Sequence, residues 1–206
     1  MGDGSENQRV RQRLETRNRL FELAIEEFRK QGVDKARIRD IVEKAGVVPG
    51  TFYFHFPTKE HVLLELGQRI IAKAAAALPG TAKRPPRLSS LLRTLASAPQ
   101  FAAEELGDPE LLRTTISIFQ RPPADAAFDE NPIQNALRDC LEAERQAGRI
   151  DSDLSAGELS QIILMAFFGT LLTAPNDPAL QTEQVRRTLG FFENALLRPN
   201  DRREES

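Results

Sequence analysis

Phenylalanines alternate with hydrogen-bonding side chains in the segment PGTFYFHF, residues 49–56. Phe52 and Phe56 lie four residues apart, so we expect both to anchor one face of a short helix to a partner helix. The side chains that we expect to face outward are those of Thr51, Tyr53 and His55. A helix with small or hydrogen-bonding groups on its outer face suits the major groove of DNA, which is wide enough to admit one helix.

The helix that must hold this segment lies just before it in the chain. Apolar residues recur there at offsets of three, four and seven, the spacing that lines one face of a helix. They are Ile38, Ile41, Val42 and Ala45. Gly46 ends this helix, and Pro49 can open the next because the N–H that proline lacks would be unpaired there. Two short helices joined by a tight glycine-containing turn form a helix-turn-helix.

Arginines are concentrated upstream of the helix-turn-helix. The stretch contains Arg9, Arg11, Arg13, Arg17 and Arg19, opposed only by Glu15. These residues form either a solvated face of the first helix or a basic arm that touches the DNA backbone. We expect that helix over residues 11–31, with Gly32 as its left-handed cap, and we expect residues 1–8 to be disordered.

The segment and its surroundings resemble the amino-terminal signature of the tetracycline-repressor (TetR) family. The residues that carry the resemblance are Phe28, Gly32, Ile41, Ala45-Gly46-Val47, Gly50-Thr51-Phe52-Tyr53-Phe54-His55-Phe56 and Lys59-Glu60. A spaced pattern of this length, covering roughly the first quarter of the chain, is far more specific than a four-residue motif. The resemblance implies a bacterial, ligand-responsive transcriptional regulator, a repressor, that binds a palindromic double-stranded DNA operator as a homodimer.

The resemblance also implies DNA-binding residues. Tyr53 and His55 correspond to positions that hydrogen-bond phosphates or bases, and Lys59 to a phosphate contact at the start of the fourth helix. The sequence departs from the family pattern at Arg37, which stands where serine or threonine usually caps the first helix of the motif; the lost cap is worth about 1 kcal/mol. Arg37 and Arg39 could instead contact phosphate or a guanine edge.

A second departure lies at the start of the reading helix, where Val48 and Pro49 replace polar residues. Apolar groups at this position favour contact with thymine methyls over bidentate hydrogen bonds to bases. The complete set of predicted DNA-binding residues is Arg37, Arg39, Val48, Pro49, Gly50, Thr51, Tyr53, His55 and Lys59.

Composition and patterning predict an all-α protein with two domains. We expect a three-helix helix-turn-helix head over residues 9–56 and a helical effector-binding and dimerisation domain over residues 57–198. The further predicted helices span residues 88–106, 109–120, 131–147, 155–173 and 181–197, with a linker at 79–86 and a frayed tail from 199. Residues 1–60 carry 12 Lys plus Arg against 10 Asp plus Glu, and the remainder carries 16 against 20, so the head is the more basic part.

The sequence offers little that could support catalysis or metal binding. Cys140 is the single cysteine, and His55 and His61 are the two histidines, which predicts no metal site, no Cys-His nucleophile and no cofactor. A single cysteine also excludes an intramolecular disulfide and favours a reducing cytoplasm. The longest apolar run, 162–168, extends to 172 only by including Gly169 and Thr170, so we expect neither a membrane span nor a signal peptide. We therefore expect a cytoplasmic protein that is not an enzyme.

The last two predicted helices are strongly apolar. Residues 155–173 are apolar nearly all round, so that helix must be covered on several sides. The final helix carries Val185, Leu189, Phe192 and Leu196 at helical spacing. Both helices could belong to the core of one chain, or they could pair with the same helices of a second copy, as the resemblance implies.

A small hydrophobic effector is the ligand that the middle helices would suit, because small-molecule sites are mostly apolar with a few polar groups. The candidate lining residues are Phe101, Leu112, Ile116, Phe119, Leu137, Cys140, Leu141 and Phe167. Each could equally be part of an ordinary core. Two other functions stay open: a small-molecule-binding or enzymatic domain with a vestigial helix-turn-helix, and an adaptor that binds proteins through its apolar final helices.

Overall fold

The computed structural model of the protein describes residues 3–78, 85–124 and 131–197. Its helices are α1 (Asp3–Gln31), α2 (Ile38–Ala45), α3 (Pro49–His55), α4 (Lys59–Ala76), α5 (Leu88–Ala96), α6 (Ala98–Leu106), α7 (Pro109–Gln120), α8 (Pro132–Gln146), α9 (Ala156–Thr173) and α10 (Pro178–Leu196). The β-type pairing in these residues is an isolated bridge between Ile150 and Leu197. The predicted all-α fold is therefore confirmed. Most of the predicted linker and the predicted frayed tail lie outside the described residues.

The chain divides into two compact units. The first comprises Met1–Leu66 with Ile118–Ala126, and the second Gly67–Ser117 with Ala127–Ser206. We call residues 3–66 the head, and helices α5, α6, α8, α9 and α10 the bundle. Helix α4 begins in the first unit and ends in the second, so the predicted domain boundary at residues 56 and 57 stays a prediction.

The head is built on α1, whose apolar stripe supplies most of its core. Leu20, Phe21, Ala24, Ile25 and Phe28 are buried, and α1 packs against α2. The helix begins earlier than predicted, so the expected disorder of residues 1–8 is wrong for residues 3–8, which are helical. Residues 7–13 contain no glycine or proline, so nothing in that part of the sequence stops the helix from continuing toward the terminus.

The bundle is centred on α10, which lies against α5, α6 and α9, while α8 lies against α5 and α9. Side chains cap α8 and α9 at their amino ends. The Asn131 side chain accepts hydrogen bonds at the start of α8, and Ser155 forms a capping box with Glu158 at the start of α9. These caps satisfy backbone N–H groups that have no partner within the helix, so the predicted starts of both helices are confirmed to within one residue.

Two predicted helix boundaries were wrong. The helix predicted over residues 88–106 is interrupted at Ser97, because Pro99 lacks an N–H and its ring clashes with the carbonyl four residues earlier in a continuous helix. Helix α10 starts three residues before the predicted position 181. Asp177 accepts a hydrogen bond from the Leu180 N–H at 2.9 Å, and Pro178 occupies the first helical position, where proline is favoured.

Candidate nucleic-acid interface

The turn between α2 and α3 sets the direction of the candidate reading helix. Gly46 follows α2 with φ of 67°, a left-handed conformation that costs glycine little. A β-carbon at Gly46 would meet nothing within 4 Å, so the backbone conformation, and not space, requires glycine there. Val48 then precedes α3 in extended conformation and Pro49 occupies the first turn, as predicted.

Helix α3 is fixed from behind by its two phenylalanines. Phe52 and Phe56 are fully buried, with ring centroids 5.8 Å apart, which confirms the predicted anchor. The opposite side of the helix is open: Tyr53 is 51% exposed and Phe54 is 64% exposed, and Thr51 is half-buried. The exposed face therefore contains a second aromatic ring, Phe54, which was not among the predicted DNA-binding residues.

His55 does not face outward as predicted. Its side chain is buried, 9% exposed, and its ring packs edge-on against Phe54 at 5.1 Å. His55 lies three residues after Phe52 and therefore shares the buried face of the helix, whereas residues two apart point in different directions. Burial, followed by the cations of Arg17 and Arg13, lowers the pKa of the His55 imidazole, so the ring is neutral at neutral pH.

Lys59 is directed into the protein. Its ammonium donates to the main-chain carbonyl oxygens of Val33, Asp34 and Ala36 at 2.6, 3.1 and 3.1 Å. An ammonium has three N–H donors, and here each has an acceptor. Lys59 thus joins the start of α4 to the turn between α1 and α2. A phosphate contact from this side chain, as the family resemblance implies, would require these bonds to be broken.

Arg17 connects three elements of the head, a role that its position in the sequence did not predict. Its guanidinium donates to the His55 carbonyl at 2.7 Å, pairs with the Glu65 carboxylate on α4, and lies 4.4 Å from the centre of the Phe56 ring. A planar guanidinium can make all three contacts because its edge donates while its face stacks. Arg17 therefore fixes the carboxyl end of α3 against α1 and α4.

The remaining predicted contacts lie at the starts of α2 and α3. Arg37 and Arg39 are exposed, and Arg37 makes no side-chain capping bond to α2, which confirms the lost cap. Val48, Pro49 and Gly50 are also exposed, so α3 begins with an open apolar surface. We group these residues with Thr51, Tyr53 and Phe54 under the name reading face: Arg37, Arg39, Val48, Pro49, Gly50, Thr51, Tyr53 and Phe54.

The predicted effector residues differ in how tightly they are packed. Leu137, Cys140 and Leu141 have no exposed surface, so in this conformation they cannot line an open cavity. Burial raises the pKa of the Cys140 thiol to about 12, and the thiol donates to the Pro86 carbonyl at 3.0 Å, so it is an inert core group. Leu112, Ile116 and Phe167 are buried but keep a little exposure, and Phe101 is half-buried. Phe119 is also half-buried and falls in the stretch that clusters with the first unit.

The bundle exposes large apolar side chains on α9 and α10. Met165 is 63% exposed and Phe191 is 68% exposed, and Ile162 and Leu180 are also open. Of the four apolar residues at helical spacing on the final helix, Val185, Leu189 and Leu196 are buried within the chain and Phe192 is half-buried. A single chain therefore leaves part of the surface of α9 and α10 uncovered.

Among the described residues, α9 is long and apolar enough to cross a membrane, a test that the central helix of a folded bundle also passes. Helix α9 packs against α8 and α10. The Arg113 guanidinium on α7 donates to the main-chain carbonyls of Leu172 and Ala174, the latter at 2.8 Å, and to the side-chain oxygen of Asn176. These bonds satisfy acceptors at the carboxyl end of α9. These contacts are those of a helix packed within a folded bundle.

In the same described residues, no three His, Cys, Asp or Glu side chains lie close enough together to hold a metal ion.

Comparison with known proteins places the head in a defined family. Residues 20–66 match the family described as bacterial regulatory proteins, tetR family. Over a longer span, the chain is 28% identical to YdgC, an HTH-type transcriptional regulator of Bacillus subtilis strain 168, across 84% of this chain and 89% of that protein. The matched segment contains α2, the turn and α3, so the helix-turn-helix is the part that the relatives share most clearly.

Solved structures match the fold along most of the chain. Thermus thermophilus FadR, a TetR-family transcriptional repressor in complex with lauroyl-CoA, superposes with a TM-score of 0.72 at 23% identity, covering 88% of this chain and 95% of that one. SmeT, the repressor of the Stenotrophomonas maltophilia multidrug efflux pump SmeDEF, superposes in its triclosan complex with a TM-score of 0.62 at 20% identity, covering 89% and 92%. At these identities the likeness establishes the fold.

Proposed function

The chain belongs to the TetR family of bacterial transcriptional regulators, and we propose that it is a repressor that binds a palindromic operator as a homodimer and is released by a small hydrophobic effector. The observation that carries the proposal is that α3 has one buried face and one exposed face. Phe52 and Phe56 are fully buried behind the helix, while Tyr53 and the apolar start of the helix are exposed in front. A rigid helix with an open front is what insertion into the major groove requires.

Within the reading face we assign two kinds of contact. Arg37, Arg39 and the Tyr53 hydroxyl bind phosphates or base edges, because each offers N–H or O–H donors at an exposed position. Val48 and Pro49 contact thymine methyls. His55 and Lys59 are not among the DNA contacts that we propose; they hold the reading face in place.

The test is DNA binding by two arginine variants that differ only in location. Arg39→Gln removes a charge from the reading face, and Arg93→Gln removes one from an exposed position on α5. The probe is the duplex upstream of the protein's own gene, titrated over a range of salt concentrations. Each phosphate contact contributes about 0.9 to the slope of log affinity against log salt, so Arg39→Gln should lower the slope and Arg93→Gln should not. Equal behaviour of the two variants would contradict the proposed interface.

The homodimer is proposed to form through α9 and α10. Met165, Phe191, Ile162 and Leu180 are large apolar side chains left open on these two helices. A two-fold axis through this surface would cover the same side chains on both copies. An operator made of two half-sites about 34 to 36 Å apart, or a multiple of that distance, calls for a dimer of this two-fold symmetry.

The effector is proposed to bind in the second unit, among Phe101, Leu112, Ile116 and Phe167, with Leu137, Cys140 and Leu141 yielding as the site opens. FadR and SmeT, whose structures hold lauroyl-CoA and triclosan, support a hydrophobic ligand. Helix α4 runs from the first unit into the second, so an effector that prefers a different position of α4 would reduce DNA affinity. Lauroyl-CoA and triclosan are therefore the first probes to test for release of DNA.

We further propose that the protein acts in the cytoplasm, where operator DNA lies, and that it is not an enzyme. The alternative, a binding or catalytic domain with a vestigial helix-turn-helix, is not favoured because the reading face is intact. Gly46 has the left-handed conformation that the turn requires, and Phe52 and Phe56 anchor α3.

A further inference from the structure

The first helix carries a row of arginines that leads away from the reading face. Arg9, Arg13 and Arg17 are spaced four residues apart, so they lie along one side of α1. Arg17 is held inside the head by the His55 carbonyl and the Glu65 carboxylate. Arg13, one turn earlier, is exposed, and its guanidinium lies 4.8 Å from the centre of the Phe54 ring. The row therefore begins at α3 and continues outward along α1.

The neighbouring arginines of the same helix are engaged elsewhere. Arg11 pairs with Glu15 at 3.2 Å, and Arg19 is directed at the Lys44 carbonyl at 3.4 Å. In the part of the chain whose side chains the structure describes, no carboxylate pairs with Arg9 or Arg13. With respect to these described side chains, the two outermost members of the row keep their charge available at exposed positions.

Stacking on the Phe54 ring holds the exposed guanidinium of Arg13 in one place. A cation over an aromatic face gains about 0.5–1 kcal/mol at an exposed site. Stacking uses the face of the guanidinium and leaves the N–H donors on its edge free to bind an anion. Phe54 itself has no hydroxyl with which to bind phosphate. Its 64% exposed ring acts as a platform for Arg13.

We propose that Arg9 and Arg13 extend the DNA interface from α3 onto α1 and bind successive phosphates beside the half-site, with Phe54 as the positioning residue for Arg13. Residues four apart in a helix are separated by about 6 Å along its axis, so both guanidiniums can follow one strand of the backbone. The inference rests on the proposed function, because it assumes that the reading face binds duplex DNA. It resolves the alternative between a solvated face and a basic arm in favour of the arm.

The test compares Arg13→Gln and Arg9→Gln with Arg11→Gln, which removes the same charge from a residue that is paired with Glu15. Binding to a labelled duplex of scrambled sequence is measured over a range of salt concentrations, so no operator is needed. Each of the first two variants should lower the slope of log affinity against log salt by about 0.9 per bound subunit, while Arg11→Gln leaves it unchanged. Thermal unfolding by circular dichroism checks that all three variants are folded.

Phe54→Leu tests the platform. It should weaken DNA binding in the presence of Arg13 and have little further effect in an Arg13→Gln background. Arg13→Lys should keep the salt slope but lose affinity, because an ammonium cannot stack and donate sideways as a guanidinium does. If Phe54→Leu weakens binding equally in both backgrounds, Phe54 contacts DNA directly and the platform role is overturned.

Failure of this inference can be told from failure of the proposed function. If Arg39→Gln lowers the salt slope but Arg9→Gln and Arg13→Gln behave like Arg11→Gln, the reading face binds DNA and the extension onto α1 is wrong. If the wild-type protein binds neither the scrambled duplex nor its own upstream DNA at low salt, both proposals are overturned.

Discussion

The head and the bundle both expose large apolar side chains, but the charges around those side chains differ. On the head, Tyr53 and Phe54 are open beside arginines that no carboxylate neutralises among the described side chains: Arg13, Arg37 and Arg39. On the bundle, Phe191 is as open, yet the nearby Arg186 and Arg187 both pair with Glu183, at 2.8 and 2.9 Å. An exposed apolar surface does not by itself identify its partner.

The two surfaces differ in whether their arginines pair with a carboxylate. Free guanidiniums around an aromatic face favour a polyanion, because each one releases counterions when it binds a phosphate. Arginines that are already paired within the chain gain less from a polyanion, and an exposed apolar face is typical of a surface that binds protein. The difference therefore supports the two proposals that DNA binds the head and that a second copy of the chain covers the open apolar face of the bundle.

The largest expected effect separates the buried aromatic ring of the reading helix from the exposed ones. Phe52→Ala removes a fully buried ring and should lower the free energy of unfolding of the head by about 3–5 kcal/mol, with loss of DNA binding. Phe54→Ala, at a 64% exposed position, should lower it by no more than about 1 kcal/mol, the contribution of the stacking between Phe54 and Arg13. Denaturant unfolding followed by circular dichroism measures both. Equal losses in the two variants would show that α3 is not anchored as described.

A second prediction concerns which cations of the head face DNA. Lys59→Met removes three hydrogen bonds to main-chain carbonyls and should cost about 2 kcal/mol of stability. Lys35→Met changes an exposed lysine in the turn that supplies those carbonyls and should cost almost none. At a temperature where the variant is folded, the salt slope of DNA binding should equal that of the wild type. A slope lower by about 0.9 per subunit would instead show that Lys59 binds phosphate.

The bundle's side of the comparison is tested by introducing a charge. Phe191→Glu should weaken dimerisation at least tenfold, about 1.4 kcal/mol, because a carboxylate would be buried without a partner. Leu154→Glu, an exposed apolar position in the loop before α9, should leave the dimer intact. Sedimentation velocity over a range of protein concentrations gives the dissociation constants. An unchanged dimer in Phe191→Glu would place the interface elsewhere.

Arg37 should show opposite effects on stability and on binding. Arg37→Thr supplies the missing cap of α2 and should stabilise the protein by about 1 kcal/mol. The same change removes a guanidinium from the reading face and should weaken DNA binding. Thermal unfolding and anisotropy titration on one preparation measure both. If stability rises and affinity is retained, Arg37 does not contact DNA.

The smallest expected effect is a pH dependence that comes from His55. The pKa of this imidazole is lowered in the folded head by burial and by Arg17 and Arg13, and its unfolded value is about 6.5. Below that pH the unfolded chain takes up a proton more readily than the folded head, so the free energy of unfolding falls as pH falls. His55→Gln should have a shallower decline between pH 7 and about pH 5. Identical declines would show that other groups cause it.

Much of the head could be predicted because its signals are local. Gly46 and Pro49 mark the end of α2 and the start of α3 by backbone chemistry alone, and the observed bounds agree. The wrong orientation of His55 was also a local matter, since its spacing of three from Phe52 places it on the buried face. Likewise, Pro99 carried the information that one predicted helix is two.

What the sequence could not provide is the pairing of side chains that are distant in the chain. Arg17 meets Glu65, Lys59 meets the carbonyls that follow α1, and Arg13 meets Phe54 only after the helices pack. In the bundle, stripes of leucine and isoleucine fit a solid core and a ligand site equally well. The zero exposure of Leu137 and Leu141 became known only from the packing.

The most direct test of the central claim is binding of the wild-type protein and of Tyr53→Ala to the protein's own upstream DNA, at low and high salt, with dimer mass measured in parallel. We predict tight wild-type binding that weakens with salt, and its collapse in Tyr53→Ala while the dimer stays intact, because Tyr53 belongs to the head and not to the bundle. Equally weak binding by both proteins on that DNA and on genomic fragments would contradict the assignment of the head to DNA.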